Sequence, residues 1–136
     1  MVKKKLKPKD LEEKWKRALA DYHNLEKRVE KEKEEFAQFA NARLIDKLLN
    51  VLDDLERAVD HLGDKGLKLI LDQFKAVLAS EGLSEIKAEG EKFDPETMDA
   101  VKMVKGKKDR VVEVILKGYK LNHKVLRPAK VKVGQG

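Results

Sequence analysis

The chain has 136 residues and a formal net charge of +6, with 41% charged and 5% aromatic residues, a balance suited to long solvated helices and too lean for a large core. It contains no cysteine, so neither a disulfide framework nor a thiolate metal site is available. No apolar run approaches the roughly 20 residues of a membrane span, and the basic N-terminus lacks the apolar stretch of a signal peptide, so a cytoplasmic protein with no membrane partner is expected.

Lys3, Lys4, Lys5, Lys7 and Lys9 form a basic run without acidic neighbours, expected as a disordered tail over residues 1–9. The remaining lysines are mostly interleaved with glutamate along helical stretches. Such mixing describes a solvated surface better than a phosphate track, and no nucleic-acid partner is expected. Asp10 reads as the N-cap of a long helix over 10–43, with Glu12 and Glu13 at its positive end, each four residues before a base, Lys16 or Arg17.

Trp15, Tyr22, Val29 and Phe36 recur every seventh residue, and Leu11, Ala18, Leu25, Glu32 and Phe39 make the second series of a coiled-coil seam. At roughly 1.5 Å per residue the stretch from Asp10 to about Asn41 would be about 48 Å long, so pairing with a second copy is expected. The stretch from Glu26 to Glu35 is almost wholly charged, and Glu32 occupies a seam position. A parallel pair would also set Asp21 near Glu26 and Arg28 near Lys33, both like-charged, so firm association must depend on structure elsewhere.

That structure begins at Leu44, where the apolar residues change phase: Leu44, Leu48, Val51, Leu55, Ala58 and Leu62, widened by Ile45, Leu49, Leu52 and Val59. A bend or break is expected near Asn41 to Asn50. Gly63 and Gly66 bracket a turn, and a third helix follows from Leu67 to Glu81, apolar at Leu67, Ile70, Leu71, Phe74, Val77 and Leu78, with Gly82 after its C-cap. One hairpin over 44–82 cannot bury both faces well, whereas two hairpins can form a four-helix bundle across a dimer. The expected dimer interface comprises Trp15, Tyr22, Val29, Phe36, Leu44, Leu48, Val51, Leu55, Leu71, Phe74 and Leu78.

Beyond Gly82 the period becomes two. Leu83 to Glu89 alternates like a strand, and Asp94 with Pro95 opens one helical turn through Met98. Val101 to Val104 and Val111 to Leu116 read as a hairpin joined through Gly106 to Asp109, Gly118 ends that strand, and Leu121 to Lys124 holds another tight turn. Ala129 to Val133 alternates with Lys130 and Lys132 facing out, and Gly134 to Gly136 should fray. Residues 83–136 are thus expected as a compact β-domain. The fold class is α+β: a long N-terminal coiled-coil helix, a dimeric four-helix bundle and a small C-terminal all-β domain.

Residues for covalent chemistry are missing. Serine occurs only at Ser80 and Ser84, no glycine-rich loop ends in Lys-Ser or Lys-Thr, and His23, His61 and His123 lie on three different elements without ligand spacing. No catalytic residue, cofactor or metal is expected, and an enzyme is not. A helical dimer carrying a small β-module is suited to presenting that module to another protein. A generic oligomeric scaffold or a basic coiled-coil nucleic-acid-binding protein stays open on patterning alone.

Phe93-Asp94-Pro95, then Met98 and Ala100-Val101, later Gly118-Tyr119, Leu121-Asn122 and the run Val125 to Val133 resemble the signature of the GrpE family, nucleotide exchange factors of DnaK-type Hsp70 chaperones. Asp21 to Arg28 and Leu48 to Ala58 resemble the family's long helix and bundle. The likeness covers residues from about 18 to 133. It implies a parallel homodimer with two β-domains spread as wings, one of which docks on the Hsp70 nucleotide-binding domain and holds its cleft open so that ADP leaves.

Carried over by motif, the chaperone-facing residues would be Gly82 at the end of the bundle, Lys124 with Asn122 and His123 in the wing turn, Ile115 and Val133 on matching strands, and the basic pair Lys27 and Arg28 on the long helix. His123 stands where the family commonly has glycine. A left-handed backbone there would cost roughly 1 kcal/mol or more, so either the turn differs or the wing tolerates strain. Asn50 replaces a usual proline, which implies a softer bend, and the family's long acidic N-terminal region is nearly absent.

Overall fold

The computed structural model describes residues 7–136 as an α+β chain of three helices followed by six strands. The Lys3 to Lys5 part of the basic run lies outside the described residues. Helix α1 spans Pro8–Phe39. Its first residue is a proline, which needs no hydrogen-bond partner for its nitrogen, and the Lys7 carbonyl accepts from Leu11 N–H at 3.1 Å. Asp10 therefore sits inside the first turn and is not the cap, and Pro8 and Lys9 belong to the helix. The expected Glu12–Lys16 pair closes at 3.4 Å, and Glu32 meets Arg28 of its own helix at 3.8 Å.

The chain divides into two compact units, residues 1–37 and 38–136. In the first, no described residue is buried, and the seam side chains Trp15 and Phe36 are 63% and 76% exposed.

The second unit opens with the last two residues of α1. After an interruption at Ala40 and Asn41, α2 runs Ala42–Leu62 and passes unbroken through Asn50. Gly63 ends it in the left-handed region with φ 61°, its N–H bonded to the Val59 carbonyl at 2.9 Å. Helix α3 spans Lys65–Ser80 and starts two residues earlier than the glycine pattern suggests. The reason is Asp64, whose carboxylate caps the N–H groups of Gly66 at 2.7 Å and Leu67 at 3.3 Å.

The strands are β1 Leu83–Glu85, β2 Met98–Lys108, β3 Val111–Leu116, β4 Tyr119–Leu121, β5 Lys124–Arg127 and β6 Ala129–Gly134. They form two three-stranded sheets, β1-β4-β5, wholly antiparallel, and β2-β6-β3, in which β6 runs parallel to β2 and antiparallel to β3. The expected hairpin between β2 and β3 is corrected accordingly. The chain does reverse, at Asp109 with φ 61°, but β6 lies between the two strands. Its inward residues Ala129, Val131 and Val133 are all buried, and a strand buried that fully belongs at the sheet centre.

Other local expectations shift for equally local reasons. β1 is only three residues long, although Ile86 N–H still reaches the Gly118 carbonyl at 2.8 Å. Asp94 caps a single turn, accepting from Glu96 N–H at 3.0 Å, before β2 begins at Met98. The C-terminus does not fray: Gln135 N–H bonds the Val104 carbonyl at 2.9 Å and Gly136 N–H bonds that of Gly106 at 3.0 Å.

Two cores result. Ile45, Leu49 and Leu52 of α2 and Leu71 and Leu78 of α3 pack with Leu83, Tyr119 and Leu121 of the first sheet. Ala88, Met98, Val111, Ala129, Val131 and Val133 make the second. The helical hairpin thus shares its core with β-strands, and no packing boundary falls at Gly82.

Candidate functional site

The first sheet is fastened to α2 by charge as well as by the core. Arg127 on β5 presents its guanidinium fork to Asp53 at 2.7 and 3.0 Å and also donates from Nε to the Lys117 carbonyl at 2.9 Å. Both side chains are largely buried. Nearby, Glu56 takes Lys75 at 3.1 Å and Lys117 at 3.0 Å, and Lys117 also meets Glu85 at 3.5 Å. Burial alone would lower the Lys117 pKa, but the hydrogen bond and charge of Glu56, joined by Glu85, outweigh it and raise the value. For the Tyr119 phenol, burial is the largest cause of a strong upward shift, and the charges of Glu56, Glu85 and Asp53 add to it against the opposing Arg127.

On this platform the β4–β5 turn carries the exposed site. Leu121 pairs with Lys124 across a two-residue connection, Asn122 and His123. The left-handed residue is Asn122, with φ 54°, and His123 is not left-handed. The strain considered for His123 therefore falls on a residue type that adopts this conformation more readily. Asn122 N–H donates to the Gly82 carbonyl at 2.8 Å, and its side-chain Nδ2 donates to the Gln38 carbonyl at 2.9 Å.

Gly82 follows α3 with φ 95°, and a Cβ placed there would lie 2.3 Å from Asn122 Oδ1. Glycine is thus required twice over, by backbone angle and by space. The next two side chains gather on Phe39. The His123 ring meets it edge-on, with centroids 5.1 Å apart and planes at 81°, and Lys124 Nζ lies 4.6 Å from the Phe39 centroid.

Four of the sequence-derived chaperone residues therefore come together, His123 and Lys124 on Phe39 and Asn122 between Gly82 and the Gln38 carbonyl. The others do not join them. Ile115 is on β3, 50% exposed, beside a groove lined by Asp53, Asp54 and Asp60 of α2. Val133 is only 3% exposed in the second core, which corrects its placement among surface contacts. Lys27 and Arg28 are exposed on α1 in the other unit.

Among the residues expected at a dimer interface, Leu71 and Leu78 are 6% and 3% exposed inside the chain's own core, leaving almost nothing for a second copy to cover. Leu48, Leu55 and Phe74 pack against the same core, whereas Trp15, Tyr22, Val29, Phe36, Leu44 and Val51 are exposed.

Periodicity missed two contributors. Phe39 reads as a seam residue, yet it is the base on which the turn rests, and the only sequence hint was the phase jump immediately after it. The Gln38 contribution is a backbone carbonyl, which no side-chain pattern could announce. Among the described residues no His, Asp and Glu group could hold a metal, and no helix is long and apolar enough to cross a membrane.

Comparison with known proteins places this geometry in context. The GrpE family model matches residues 1–135. Protein GrpE of Lactobacillus johnsonii is 38% identical over 141 residues, covering 95% of this chain and 73% of that protein. Protein GrpE of Methanothermobacter thermautotrophicus is 45% identical over 123 residues, covering 86% of this chain and 70% of that one. Protein GrpE of Clostridioides difficile is 39% identical over 149 residues, with 98% and 70% covered.

Proposed function

The chain belongs to the GrpE family, co-chaperones that act as nucleotide exchange factors of DnaK-type Hsp70, and we propose that it works as a homodimer whose β4–β5 turn docks on the Hsp70 nucleotide-binding domain. Docking selects the open form of the nucleotide cleft, from which ADP escapes and ATP can enter. A ligand that binds only the open state stabilises it by its differential affinity, so no covalent step is needed. Family membership disfavours the nucleic-acid alternative. A cytoplasmic location is part of the same proposal.

The observation that supports this reading best is the exposed Lys124 ammonium gathered with His123 on Phe39, backed by Asn122 and Gly82. It offers a defined cation to an acidic or polar protein surface. The exposed apolar side chains of α1 and the hairpin, including Trp15, Phe36, Val51 and Ile70, support self-association.

The test is the release rate of fluorescently labelled ADP from a purified DnaK-type Hsp70 with and without the full chain. Acceleration is expected, and an unchanged rate with a cognate chaperone would sink the reading. Lys124→Glu should diminish the acceleration while sedimentation still reports the dimer. Loss of the dimer instead would make Lys124 a structural residue.

A further inference from the structure

We propose that Asn122 is a positioning residue: its amide latches the β4–β5 turn to the last turn of α1 and so holds Lys124 and His123 on Phe39, without itself touching the chaperone. The functional half of this proposal rests on the exchange-factor reading above.

The amide is tied to the chain on both of its sides, by one hydrogen bond and one close approach. Nδ2 donates to the Gln38 carbonyl at 2.9 Å, one of the end-of-helix acceptors that α1 cannot satisfy internally. Oδ1 faces Gly82, close enough that any Cβ there would collide with it. The backbone N–H of Asn122 is taken by the Gly82 carbonyl at 2.8 Å. One residue therefore joins the end of α1, the residue following the C-cap of α3 and the β-turn.

The latch and the presented cation are adjacent on both sides of the contact. Asn122 grips the carbonyl of Gln38, and the following residues His123 and Lys124 rest on Phe39, the next residue of α1. A cation–π contact at an exposed site is weak alone, and a lysine side chain has several freely rotating bonds. Tying the turn to the backbone that carries Phe39 fixes ring and ammonium in one frame. Docking then has less side-chain freedom to immobilise, so affinity rises without a new intermolecular contact.

The test uses the full chain with a DnaK-type Hsp70 and labelled ADP. Asn122→Gly removes the amide yet keeps a residue at ease at φ 54°. It is expected to lower the acceleration of release by about three- to tenfold, the range of one lost hydrogen bond. Because Asn122 acts through Lys124 and His123, adding Asn122→Gly to the double variant His123→Ala/Lys124→Ala should cause no further slowing. Losses that multiply would overturn the proposal.

A second measurement needs no chaperone. In the unsubstituted protein the His123 ring protons should be displaced by the Phe39 ring current, and in Asn122→Gly they should move to free-histidine positions. Unchanged His123 resonances would also overturn the latch. If the unsubstituted chain failed to accelerate ADP release at all, the exchange reading would fall with the functional half of the proposal, and the resonances would decide the latch by themselves.

Discussion

Arg127 on β5 grips Asp53 on α2 through two parallel contacts, Nη1 to Oδ2 at 2.7 Å and Nη2 to Oδ1 at 3.0 Å. Removing one partner strands a largely buried charge, so Asp53→Ala is expected to cost about 2–3 kcal/mol, somewhat below the value for a fully buried pair. Arg127→Lys should lose most of the same amount, because an ammonium cannot reproduce the fork and also reach the Lys117 carbonyl. Urea unfolding midpoints measure both, and unaltered midpoints would show that the apolar core alone fastens the sheet.

Gly82→Ala should destabilise the chain by about 1–3 kcal/mol, since φ 95° disfavours any side chain and the new Cβ meets Asn122 Oδ1. Adding Asn122→Gly removes the collision but leaves the backbone strain. The double variant should therefore recover part of the loss in thermal melts followed by circular dichroism, and no recovery would show that the collision does not matter.

Stability should fall as the solution becomes alkaline. Tyr119 and Lys117 both hold their protons more tightly in the folded chain than in the unfolded one, whose ordinary values are 10.0 and 10.5. A raised folded pKa means stability that is fully present below the unfolded value and is lost as pH rises through the folded one, so the window opens near pH 10. Tyr119→Phe removes one of the two titrations. Urea unfolding between neutral pH and strongly alkaline solution should show a shallower decline for that variant, and equal slopes would exclude Tyr119 as a source.

Exposed and buried apolar positions of the hairpin should separate self-association from folding. Ile70, 57% exposed, can accept Ile70→Glu without harm to the chain's own core, so dimer dissociation at low concentration is expected while helicity persists. Leu78→Ala, at a side chain 3% exposed, should instead lower stability by about 2–4 kcal/mol. Sedimentation and circular dichroism on both variants check the contrast, and an Ile70→Glu chain that stays dimeric would remove that residue from the interface.

Sequence by itself determined what depends on near neighbours along the chain. The heptad marks α1, the phase jump after Phe39 marks its interruption, Gly82 marks the end of α3, and the change to alternation marks the strands. The spaced residues from Phe93 to Val133 were enough to suggest the family. Tertiary structure alone decided which apolar face is covered by what. It put β6 between β2 and β3, buried Leu71 and Leu78 against the first sheet, took Val133 inside, and brought Phe39 to Lys124 and His123. Periodicity reports that a face is apolar but not whether a strand of the same chain or a second copy covers it, and the Gln38 carbonyl that holds Asn122 is identical in every residue type.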